Sequence, residues 1–86
     1  MITARQTRAA RALLGWTQET LADKALVSLT ALKRLESENE LKVHESTSDQ
    51  IRRALETAGI VFLNSDRGEG VMIVHDATRQ DRKARL

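Results

Sequence analysis

Cations and hydroxyls, rather than nucleophiles paired with bases, are the side chains whose spacing could do chemistry in this 86-residue chain. Arg5, Arg8, Arg11, Lys24, Lys33 and Arg34 crowd the first 35 residues against only Glu19 and Asp23, a local net of +4. Residues 36–49 reverse the sign, with Lys42 among Glu36, Glu38, Glu40, Glu45 and Asp49, a net of −4. The remainder, seven cations against five carboxylates, returns to +2, much of it in the last ten residues. Clustered cations are what attraction to phosphate requires, although charge alone favours the plainer explanation of a solvated surface. Catalysis finds no support. There is no cysteine, and His44 and His75 lie far apart without a second pair of metal ligands. No nucleophile–base pair, carboxylate dyad or phosphate-cradling glycine loop is recognisable. The chain is therefore expected not to be an enzyme and to use no metal or cofactor.

Those side chains need elements to position them, and one small domain is all that the length allows. Its core must come from Leu, Ala, Ile and Val, because Trp16 and Phe62 are the only large aromatic residues. Arg5, Arg8 and Arg11 interrupt the only apolar stretch near the start, and no segment reaches membrane-spanning length, so a cytoplasmic protein is expected.

Helix starts are well marked. Thr3 with Gln6 forms a capping box ahead of a helix over 4–14, which Gly15 ends. Thr17 can cap a second helix over 18 to about 24, burying Leu21, Ala22 and Ala25. Ser28 can cap a third, Leu29-Ser37, with Val27 and Leu32 placed as a hydrophobic staple that sets its entry angle. Leu41 and Val43 are expected anchors in the acidic stretch that follows. Ser46 and Asp49 then suggest a capping box for a helix over 47–58, with Ile51, Leu55 and Ala58 as its buried stripe. Gly59 is placed as its left-handed terminator, with Ile60 packing back on Leu55. The period then changes. Runs 60–63 and 71–74 read as strands flanking a long loop over 64–70. Neither strand alternates, so both faces want cover, and a lone two-stranded ribbon is marginal in water. A partner chain is expected to cover what the helices do not, with Ile60, Phe62, Val71 and Ile73 as the dimer interface. Residues 76–86 form a polar basic tail.

The run Leu14-Gly15-Trp16-Thr17-Gln18-Glu19-Thr20-Leu21-Ala22, with Val27-Ser28, Leu32 and Leu35-Glu36, resembles the helix-turn-helix of the phage-repressor/Cro (XRE) family. The resemblance covers roughly residues 2–58. It implies a mainly α fold, a four- to five-helix repressor-like domain over 1–59, with a C-terminal β-hairpin over 60–75 and the tail beyond. It also implies that the third helix enters the major groove of double-stranded DNA. On that reading Ser28, Leu29, Thr30, Lys33 and Arg34 face the groove. Lys33 or Arg34 would donate to guanine, Thr30 would bond bases or a phosphate, and Leu29 would touch a thymine methyl. Thr17 and Gln18 would present a helix N-terminus to a phosphate, Gln18 bonding it or bracing the third helix. Arg5 and Arg8 would add phosphate contacts that carry affinity without sequence information. Arg11 and Glu36 match the positions of a semi-buried ion pair in relatives.

The chain departs from the family pattern in three ways. Leu26 stands where glycine is usual, so the turn is either remodelled or buries Leu26 usefully. Leu29 replaces a polar group, and Glu38 and Glu40 follow the third helix where basic residues are common. The expected function is a transcriptional regulator, a repressor reading an inverted repeat as a homodimer. The alternative is a protein-binding module, antitoxin-like or an anti-activator, on the same scaffold.

Overall fold

Hydroxyl caps and left-handed residues mark most of the helix ends. The computed structural model describes residues 2–37 and 44–75. Helix α1 (Ala4–Leu14) starts at a complete capping box: the Gln6 N–H donates to Thr3 Oγ1, and the Thr3 N–H donates to Gln6 Oε1, both at 3.1 Å. It stops at Gly15, whose φ of 70° lets the Gly15 and Trp16 N–H groups reach Ala12 O and Arg11 O. Helix α2 (Gln18–Ala25) is capped by Thr17, and α3 (Leu29–Glu36) by Ser28. In each the cap oxygen accepts from the N–H three residues on, at 3.0 Å.

The turn between α2 and α3 keeps the geometry that glycine normally serves. Leu26 sits at φ 59°, ψ 42°, with its N–H on Asp23 O at 3.2 Å and the Val27 N–H on Ala22 O at 3.1 Å. Both bonds of a Schellman ending are therefore present. Neither sequence-based expectation for Leu26 holds: the turn is not remodelled, and Leu26 is 83% exposed.

Helix α4 (Glu45–Thr57) starts two residues earlier than its apparent capping box implied. His44 occupies the cap position without a side-chain bond, and Asp49 instead approaches Arg52 at 3.4 Å. Ser46 thus lies inside the first turn and not at the cap, while Ser48, Ile51 and Leu55 form the buried face. A capping box contributes about 1 kcal/mol, too little to fix a helix boundary by itself.

Leu21, Leu32, Ile51 and Leu55 are fully buried and meet at the centre, with Ala10, Ala22, Ala25, Ile2 and Ile60 around them. The alanines let the helices approach closely, and Val27 packs on the same cluster beside its staple partner Leu32. Strands β1 (Ile60–Ser65) and β2 (Gly68–Ile73) pair antiparallel, from Ile60 opposite Ile73 to Ser65 opposite Gly68. The long loop expected over 64–70 is instead a two-residue turn, Asp66-Arg67. Its composition is that of a loop, yet backbone pairing depends little on side-chain type, and the Ser65 hydroxyl fastens the turn by accepting the Arg67 N–H at 3.1 Å. Gly59 joins α4 to β1 with φ 105°, and a Cβ there would lie 2.9 Å from Val74 O. The Val74 N–H donates to Gly59 O at 2.7 Å, so the end of β2 closes directly over this glycine.

The hairpin packs chiefly on α1 through β2 and on α4 through β1. Ile60 is in the core, and Phe62, Val71 and Ile73 pack against it. The four residues expected at a dimer interface thus face the protomer's own interior. On the other face of the hairpin and just past its end, Val61, Leu63, Met72 and Val74 are exposed. Leu41, Val43, Glu38, Glu40 and the basic tail lie outside the described residues. No helix among the described residues is long and apolar enough to cross a membrane.

Candidate nucleic-acid interface

The outward side of α3 follows from the inward one. Leu32 and Glu36 are buried, while Leu29 and Leu35 pack against the core. At 3.6 residues per turn this sends Thr30, Lys33 and Arg34 to the opposite side, and all three are exposed. Among the described residues, neither Lys33 nor Arg34 forms an ion pair, so both heads remain available. Their place in the last turn also suits the negative end of the helix dipole. Thr17 and Ser28, at the starts of α2 and α3, are exposed as well. The α2 N-terminus, where Thr17 takes the Thr20 N–H, is the kind of helix end that favours an anion.

What keeps α3 in place is a clamp on its last residue. Arg11 Nε and Nη2 reach Glu36 Oε2 and Oε1, each at 2.7 Å. The pair is bidentate, with side-chain exposures of 19% and 3%. Arg11 Nη1 also donates to Trp16 O at 3.2 Å, tying the α1–α2 junction into the same cluster. The Gln18 amide donates to Glu36 Oε1 at 3.1 Å, and Arg8 donates to the Glu36 carbonyl. The hydrogen bond from Arg11 to Glu36, aided by their charge attraction, raises the guanidinium pKa above its already high ordinary value, against the opposing effect of burial. Arg11 is thus a fixed positive charge. Glu36 at the end of α3 thus receives groups from both α1 and α2.

Several expected site residues have positions that narrow their roles. Gln18 braces α3 through Glu36. Leu29 turns partly toward the core, which leaves little of it for a base contact. Arg8 lies on the clamp. Arg5 Nε pairs with Glu69 on β2 at 2.9 Å, with Arg5 72% exposed. An exposed pair of this kind contributes at most about 1 kcal/mol, so it does not bar Arg5 from a phosphate.

Sequence reasoning missed the second role of Gln6. Besides capping α1, its buried side chain donates from Nε2 to Leu63 O at 3.2 Å, Gly70 O at 2.9 Å and Asn64 Oδ1 at 3.3 Å. It fastens the hairpin beneath both strands. Its partners are 57 to 64 residues away, and only its burial in the fold reveals them. No group of three or more His, Cys, Asp or Glu residues among those described is arranged to hold a metal.

A family model described as helix-turn-helix matches residues 8–57, which include α1 from Arg8 onward and all of α2, α3 and α4. The hairpin lies beyond the match. No curated protein sequence matches the chain at significant similarity.

Proposed function

The chain belongs to the helix-turn-helix family of XRE type and is in general terms a DNA-binding regulator, and from that premise we propose that it is a repressor reading an inverted-repeat operator as a homodimer in the cytoplasm. The observation that carries this reading is the contrast across α3: Thr30, Lys33 and Arg34 stand exposed on a helix whose far end is clamped at Glu36. A rigid helix with unspent donors is suited to the major groove, where Arg or Lys takes guanine O6 and N7 and Thr takes several edges. Thr17, Ser28 and the α2 N-terminus hold phosphate and set register, joined by Arg5 when it leaves Glu69.

The second copy is proposed to pair through the outer face of the hairpin, where Val61 lies opposite Met72 and Leu63 and Val74 extend the apolar strip. Among the described residues both strands of the ribbon also have an open edge, the surface through which sheets extend. Two protomers so joined would present their α3 helices to half-sites about 34 Å apart.

Selection of bound sequences from a random duplex pool tests this directly. The expected product is a palindromic consensus. Its affinity should fall steeply with salt, log K dropping by about 0.9 per phosphate contacted for each decade. Affinity indifferent to both salt and sequence would overturn the reading. No DNA binding at low salt, together with a stoichiometric protein partner, would favour the protein-binding alternative.

A further inference from the structure

A second surface, remote in role from the α3 face, has its own chemistry. Between the end of α2 and the C-terminal half of α4 lies an open groove of about 730 Å³. Its apolar lining includes Leu14, Trp16, Leu26, Ala54 and Ala58, and two cations, Lys24 and Arg53, stand at it. Among the described residues no carboxylate lines it. We propose that this groove docks an acidic amphipathic helix of a partner protein, with Leu26 as the apolar anchor and Lys24 and Arg53 as the charge partners.

Leu26 is the strongest pointer. Its left-handed backbone is disfavoured for a side chain branched beyond Cβ, and at 83% exposure its own fold does not repay that strain by burial. Strain retained at an exposed apolar residue invites a functional explanation. Charge identifies the occupant. Among the described residues neither Lys24 nor Arg53 forms an ion pair, and Lys24 Nζ is held 5.3 Å from the centroid of the Trp16 ring. Two unneutralised cations beside an apolar floor complement a surface that carries carboxylates along an apolar stripe. The floor is low where Ala54 and Ala58 follow each other at i and i+4, which leaves room for a helix to lie in it. A small ligand could fill the groove but would leave most of Leu26 uncovered. Nucleic acid would match the cations and make nothing of the floor.

The proposal does not depend on the operator reading, and Trp16 makes it measurable. It is the only tryptophan in the chain and lines the groove, so its emission reports occupancy. The full chain is used to select binders from a displayed library of random helical peptides, and a selected peptide is synthesised and titrated. Expected are sequences with carboxylates flanking apolar residues at helical spacing, and a saturable shift in Trp16 emission. Leu26→Gly should weaken binding at least tenfold while circular dichroism and melting show an intact fold. The double variant Lys24→Glu, Arg53→Glu should lose the acidic peptide to a similar extent and recover binding to a version with its carboxylates replaced by lysine. Four results would overturn the proposal: no acidic apolar consensus, binding unchanged by Leu26→Gly, a Trp16 shift driven by protein concentration alone (a second copy in the groove), or duplex DNA that displaces the peptide.

Discussion

The two sides of α3 use their polar groups in opposite ways. On the inner side Glu36 is almost completely enclosed, and its carboxylate accepts from Arg11 twice and from Gln18 once. On the outer side Thr30, Lys33 and Arg34 are exposed, and both cations are unpaired among the described residues. The inner side therefore fixes where the helix points, and the outer side keeps its donors for something else. A scaffold that spent its outer donors internally would be no stiffer, because exposed pairs contribute little. One that left Glu36 unpaired would lose both stability and aim.

The sharpest way to break this contrast is Glu36→Ala. It strands the Arg11 guanidinium, partly buried and permanently charged, and removes the acceptor for Gln18. Removing one partner of a buried pair costs about 3 kcal/mol. In a domain this small that corresponds to a fall in Tm of roughly 10–20 °C. Thermal melts of the wild type and variant check it, and a fall below about 3 °C would show that the clamp is ornamental.

Next comes the outer side. The double variant Thr30→Ala, Arg34→Ala should lower affinity for the selected operator on the order of 100-fold, since each base contact is worth about 1–3 kcal/mol. Stability should stay within about 0.5 kcal/mol, as expected for exposed positions. Lys33→Ala serves as an internal comparison. If Lys33 meets phosphate, operator and random duplex weaken together and the salt slope falls by about 1. If it reads a base, only the operator weakens. Polarisation titrations at several salt concentrations distinguish the two, and undiminished specific binding by the double variant would place the reading surface elsewhere.

A smaller effect separates the clamp from the other buried polar anchor. Gln6→Ala removes the amide that donates to both hairpin strands and leaves the Thr3 N–H without its acceptor. The expected cost is about 1–2 kcal/mol, the range for buried hydrogen-bonding groups left unsatisfied. Amide exchange should quicken in β1 and β2 first, while the protection of α3 follows global stability alone. Equal local loosening of α3 would mean that the hairpin, and not only Glu36, holds the reading helix.

The same distinction governs what was legible before the fold was known. Thr3, Thr17, Ser28 and Gly15 were readable because capping is a conversation among residues three or four apart. Ser46 and Asp49 made the same local pattern, yet the helix starts at Glu45 and takes both inside, because a cap worth about 1 kcal/mol does not fix a boundary by itself. Ile60, Phe62, Val71 and Ile73 were legible as apolar strand residues, but runs that do not alternate say nothing about which face turns inward. Only the α1 and α4 surfaces decided that. Gln6 looked like a cap and nothing more. Arg11–Glu36 was found through a family pattern, since no physical rule joins residues 25 apart in sequence.

The smallest predicted change contrasts two turns with the same geometry. Gly15 and Leu26 end α1 and α2 with matching pairs of backbone bonds and similar left-handed dihedrals. Glycine adopts that conformation freely, whereas leucine is strained there by about 1–2 kcal/mol. Leu26→Gly relieves the strain but gives the unfolded chain more freedom, an opposing loss of about 0.4–1 kcal/mol. Because Leu26 is 83% exposed, little core burial is forfeited. The net expectation is a gain of about 0.5–1 kcal/mol, read as a rise of a few degrees in Tm. The converse, Gly15→Ala, meets no steric neighbour within 4 Å and should lose about 1 kcal/mol through backbone strain alone. If Leu26→Gly instead destabilises by 1 kcal/mol or more, then Leu26 serves its own fold, and its exposure can no longer be explained by a partner.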